Sequence, residues 1–212
     1  PAVCFSIYVN GENTGKKVVQ AGAPAADGWS VIWSTGYLTI KDGAYTFAGP
    51  KEHGMYFKWR SKYGIDLGQN IKGTSKYPGK AYGPKEETIS YTAISKGDTD
   101  PCSLVLPAGT WRLPTSEEMT EMTKGGSVDT KTGAYYTCTD GKQTVCLMAG
   151  GQLKKDGSGV MSPTNIFVWT GTKASDGKCQ YLMWMSSASG VPKIAGLTLN
   201  DAAFQVRCVK SK

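Results

Sequence analysis

Six cysteines and a single histidine, His53, are the side chains here best suited to ligate a metal or act as nucleophiles. The cysteines stand at positions 4, 102, 138, 146, 179 and 208, and no two are spaced Cys-x-x-Cys. A zinc site needs clustered thiolates or imidazoles, so this dispersion argues against a metal. A dispersed, even set fits disulfides in an oxidising compartment, with buried free thiols as the alternative. Cys138 and Cys146 flank the Asp140-Gly141 turn and are expected to face each other across a hairpin, which leaves Cys4 and Cys179 over. His53 adjoins Glu52, yet no motif places a nucleophile to complete a triad. Glu117 and Glu118 are better explained as first-turn helix charges than as an acid–base pair. The expectation is therefore a protein without enzymatic activity or cofactor. Calcium asks for several clustered oxygen ligands. Asp156, Asn165 and Asp176 are spread over separate turns, so ligand binding is expected to be independent of calcium.

Aromatic side chains are the remaining candidates for function. Phe167, Trp169, Tyr181 and Trp184 are expected on long loops, where ring faces stack on sugars or anchor a protein partner. Asn165, Lys173 and Lys193 are expected to add polar contacts. Core packing of Trp169 and Trp184 is the competing reading.

The elements that must position these residues are mostly short. The 212 residues allow one large domain, or one domain plus a small extra segment. A hydrophobic share of 40% is enough for a core, and 27 glycines with 11 tyrosines and 6 tryptophans favour strands joined by turns over a helical bundle. Residues 1–20 alternate as two strands, and residues 1–26 are expected to form a leading hairpin or the remnant of a preceding domain, with the main domain over 27–212. Tyr37–Ile40 and Tyr45–Ala48 flank Asp42-Gly43, a hairpin turn pair. Residues 65–100 are polar and are expected to be a long surface excursion. Thr115 or Ser116 can cap a helix that carries Met119 and Met122 and ends at Gly125-Gly126. The coarse expectation is an α+β fold with little helix.

The net charge of +7 comes from lysines spread along the chain, so a basic solvated surface is expected and no nucleic-acid partner. No stretch reaches the ~20 apolar residues of a membrane helix. The chain opens on Pro1, as expected of a processed protein or an excised fragment whose anchor lies elsewhere.

Five segments in order carry a resemblance. They are His53-Gly54-Met55-Tyr56-Phe57-Lys58-Trp59; Asp100-Pro101-Cys102 followed by Trp111-Arg112-Leu113-Pro114-Thr115 and Glu118; Met148-Ala149-Gly150-Gly151; Trp184-Met185-Ser186-Ser187; and Phe204-Gln205-Val206-Arg207-Cys208-Val209. Together they resemble the Fibrobacter-type major paralogous domain, common in surface and fimbrillin-like proteins of Bacteroidetes-type bacteria. The resemblance spans about residues 28–210. Met185 stands where the family usually has Trp, and residues 152–180 are longer than in a minimal member.

The resemblance implies a C-type-lectin-like fold and export to the bacterial cell surface. It implies that Cys102 pairs with Cys208. Lectins of that fold that hold sugar through calcium use Glu-Pro-Asn or Gln-Pro-Asp with Trp-Asn-Asp, and none of these tripeptides occurs here. Trp111–Thr115 is expected to be a buried strand running into the helix cap, with Arg112 and Arg207 paired to internal carboxylates. The function expected is an adhesin-type domain that binds a glycan or a surface protein. The alternatives are a tip or capping subunit that binds other fimbrial subunits, and a hypervariable receptor-binding protein.

Overall fold

The computed structural model describes residues 3–9, 12–20, 28–73, 80–94, 97–124, 126–129, 135–187, 191–198 and 202–212. The first strands are β1 (Val3–Val9), β2 (Glu12–Gln20), β3 (Val31–Lys41), β4 (Ala44–Phe47), β5 (Tyr56–Phe57), β6 (Gly64–Ile65), β7 (Lys80–Tyr82) and β8 (Thr88–Ser90). The helix α1 (Ser116–Thr123) follows. After it come β9 (Ser127–Asp129), β10 (Tyr135–Thr139), β11 (Thr144–Met148), β12 (Gln152–Lys154) and β13 (Val160–Met161). The last four are β14 (Ile166–Lys173), β15 (Cys179–Trp184), β16 (Lys193–Leu197) and β17 (Ala202–Ser211).

These strands form two sheets. One runs β1-β2-β9-β10-β11; the other has twelve strands along β16-β15-β14-β17-β5-β6-β7-β8, with β3, β4, β12 and β13 branching from that path. The leading β1–β2 hairpin joins the first sheet where Lys17 pairs with Val128. Strand β17 is the hub of the larger sheet. It pairs antiparallel with β3, β5 and β12 and parallel with β14.

This corrects the α+β, C-type-lectin-like expectation. Among the described residues there is one α-helix, of eight residues, and the architecture is closer to a β-sandwich. The reason is local. Only Thr115–Thr123 combines a cap with helical apolar spacing, whereas many of the other apolar runs are rich in β-branched or aromatic residues and four strands lead into Asp-Gly turns. The helix itself starts as the sequence predicts. Thr115 accepts a hydrogen bond from the Glu118 amide at 3.2 Å, and Glu118 Oε2 accepts one from the Thr115 amide at 2.8 Å, a reciprocal capping box.

Strands β14 and β15 are buried on both faces. Ile166, Val168, Leu182 and Trp184 point into a core shared with Trp29, Tyr136 and the two methionines of α1. Phe167, Trp169 and Tyr181 point the other way, against Phe57, Trp59 and Phe204. A strand covered on both faces reads as a continuous apolar run, as Ile166–Trp169 does.

Residues 65–100 are likewise not a bare excursion. Ile65, Ala81, Tyr91 and Ile94 are buried around Tyr56 and Leu153 in a third cluster. Their apolar residues are too far apart to show a period, yet each fills its own site.

Candidate functional site

The Asp42-Gly43 turn closes the β3–β4 hairpin with φ of 51° and 73°, values that glycine adopts freely and aspartate tolerates. The turn is tied to the segment after β7, because the Lys85 amide donates to the Gly43 carbonyl at 3.1 Å. The two elements form opposite walls of a cleft of about 440 Å³. Ile40, Asp42 and Gly43 come from the hairpin, and Tyr82, Gly83 and Thr88 from the facing wall. Met55 and Asp66 complete the lining.

Ile40 and Met55 are buried, Tyr82 is half-buried, and Asp42, Asp66 and Thr88 are exposed, so the cleft has an apolar floor and a polar rim. One Asp66 oxygen accepts the Gly68 amide at 2.7 Å, which orients that carboxylate. Behind the cleft, Tyr45 donates to the Lys62 carbonyl, and Tyr63 and Lys62 both donate to Glu87, at 2.6 and 3.3 Å. Those two donors hold the Glu87 carboxyl below its usual range. Volume and lining suit a small ligand or a protruding side chain, since ligand pockets run from roughly 300 to 1,000 Å³. Sequence reasoning missed this cleft. Asp42 reads only as a turn residue, and Asp66 lies in a polar stretch without motif spacing.

The aromatic residues expected to bind ligand are core residues. Phe167, Trp169, Tyr181 and Trp184 are at most 9% exposed. The Trp169 indole donates to the Phe57 carbonyl at 2.8 Å, and its ring stacks on Phe204 at 4.2 Å between centroids. Asn165 is committed to its own turn, where Oδ1 accepts the Ser186 amide at 3.0 Å and its carbonyl accepts the amides of Gly150 and Gly151. Lys173 and Lys193 are exposed at ends of β14 and β16. The structure thus gathers the four aromatics into the interior, leaves Asn165 half-buried and leaves the two lysines open to solvent.

Cys102 and Cys208 form a disulfide with Cα atoms 5.7 Å apart. Around it, Asp100 accepts the amides of Cys102 and Leu113 at 2.9 and 2.7 Å, and Arg112 exchanges two backbone hydrogen bonds with Val209, each 2.9 Å. Arg112 also grips Glu118 through both carboxylate oxygens, at 2.8 and 2.6 Å.

Cys138 and Cys146 do not pair; both are free and buried. Register is the reason. Cys138 lies opposite Val145 and Cys146 opposite Thr137, so the two side chains leave the ladder on opposite faces. Cys179 is also free and buried, and burial raises its thiol pKa to about 11. The Cys4 side chain lies outside the described residues.

Arg207 corrects another expectation, because no carboxylate among the described residues meets it. Its Nη2 donates to the Thr35 carbonyl at 2.9 Å and its guanidinium lies 5.4 Å from the Tyr37 ring centre. Its Nε and Nη1 have no hydrogen-bond partner among the described residues, and burial pulls its pKa down to about 10. His53 is a satisfied, nearly buried residue, bonded through Nδ1 to Gln205 at 3.1 Å and through its backbone to Gln69. Burial lowers its pKa.

Among the described residues, no group of three or more His, Cys, Asp and Glu side chains is placed to hold a metal ion. No described helix is long and apolar enough to cross a membrane. No family model matches the chain, and neither a curated protein nor a solved structure matches it.

Proposed function

We propose that this chain is an adhesin-type binding domain of a bacterial surface protein, related to the Fibrobacter-type major paralogous domains. It recognises a glycan or protein group without calcium, through the cleft between the Asp42-Gly43 turn and the Tyr82–Thr88 wall. The cleft carries the proposal: an apolar floor supplies contact area, and the two carboxylates at its rim supply orientation. The Cys102–Cys208 disulfide supports an oxidising compartment and hence export. The five motifs that resemble the family support the kinship.

A specific observation favours a second reading, a subunit of a surface assembly. Strand β16 pairs with β15 alone among the described residues, so its outer edge offers unpaired backbone groups for strand addition.

A glycan and extracellular-matrix array, with and without chelator, tests the first reading using Tyr82→Ala and Asp66→Ala chains verified as folded. Binding that survives chelation and is lost in those variants is the expected result. Binding that persists in both variants removes the cleft from the proposal, and binding lost on chelation removes its independence of calcium.

A further inference from the structure

The cleft is an acidic spot on a basic protein. Its lining side chains carry two carboxylates, Asp42 and Asp66, and no cation, whereas the whole chain has a net charge of +7. Neither carboxylate forms an ion pair with any described residue. Asp66 accepts one backbone amide. Of the neighbouring lysines, Lys62 is committed to Glu87, while Lys41 and Lys85 flank the Asp42-Gly43 turn outside the lining of the cleft. Both carboxylates therefore face solvent at the rim, above the buried Ile40 and Met55 and the half-buried Tyr82 ring.

From this we infer that the cleft takes a lysine or arginine side chain presented by a partner protein; the inference rests on the cleft being the binding site proposed above. The complementarity is twofold. An aliphatic stem with a cationic head matches an apolar floor with an anionic rim, and a basic side chain keeps its charge in the wet part of the site. The Tyr82 ring adds a face for the cation or the stem. A neutral sugar seated here would meet the two carboxylates through hydroxyl hydrogen bonds alone and leave their charge uncompensated. A cation compensates their charge directly. The walls are already tied together by the Lys85–Gly43 hydrogen bond, so little ordering cost falls on binding.

The test is a set of amide NMR titrations of the full chain. The probes are a short capped peptide with one central lysine, the same peptide with that lysine Nε-acetylated, and a neutral oligosaccharide. Acetylation keeps the stem and removes the charge. The lysine peptide is expected to shift the Gly43, Met55, Gly83 and Thr88 amides, and its binding to weaken as salt rises. Asp42→Asn and Asp66→Asn are each expected to weaken that binding about two- to fivefold, the size of a solvent-exposed ion pair. Both positions are exposed, so the variants fold. Equal shifts from the acetylated peptide or the oligosaccharide would overturn the preference for a cation while leaving the cleft as the site. Shifts confined to residues away from the cleft, or no shifts with any probe, would overturn the inference together with the site it rests on.

Discussion

Replacing Cys102 and Cys208 together with alanine removes a cross-link between residues 106 apart in sequence. In the chain-entropy model, freeing a loop of that length returns about 16 cal/mol/K to the unfolded chain, or ~5 kcal/mol at 25 °C. The folded state keeps much of what surrounds the bond. The Arg112–Val209 backbone pair and the Asp100–Leu113 hydrogen bond still hold the segment before α1 on β17. The loss therefore falls mainly on the unfolded side. Because a domain's whole stability is about 5–15 kcal/mol, the variant should be marginal, with its midpoint lowered by roughly 10–20 °C. Urea unfolding followed by tryptophan fluorescence measures it, and the m-value should rise as the unfolded chain expands. A stability loss below about 1.5 kcal/mol with an unchanged m-value would refute the reasoning. It would mean that the unfolded chain is already restrained or that the bridge is strained.

Trp169→Ala should cost about 3–5 kcal/mol, because it empties an indole site stacked on Phe204 and removes the indole hydrogen bond to the Phe57 carbonyl; thermal melting checks this, and any loss of binding should track the loss of fold. Glu118→Ala removes both the Arg112 pair and half of the capping box, at a cost of about 1–2 kcal/mol at neutral pH. The Glu118 carboxyl is held below its usual value by Arg112, so its contribution is present above the unfolded pKa and fades as pH falls through the folded one. The difference between wild type and variant in urea midpoints should accordingly shrink under acid conditions.

The capped helix was legible in the sequence because its signals are local: a cap at Thr115 or Ser116, first-turn acidic residues Glu117 and Glu118, and two methionines at helical spacing. The Asp42-Gly43 hairpin was legible for the same reason. The Cys102–Cys208 bond came from the resemblance, since six cysteines do not fix their own pairing. The opposite faces of Cys138 and Cys146 depended on register. A single-residue offset decides the face, and turn residues alone leave that offset open. The burial of Phe167, Trp169, Tyr181 and Trp184 was hidden for a related reason. A run such as Ile166–Trp169 looks alike on an exposed loop and in a strand covered on both sides, and only the packing of Phe204 and Phe57 against it distinguishes them.

By itself the sequence determined the strand-rich composition, the turns and the short helix, because each depends on backbone preferences within a few residues. Tertiary structure decided what lies inside and where a ligand can sit. It placed β17 at the hub, took four expected contact aromatics into the core, and buried Arg207 with no carboxylate beside it among the described residues. It also brought Asp42, Asp66 and Tyr82 to one cleft from three separate stretches of chain. That convergence follows from strand pairing across long loops, and local sequence carries no record of it.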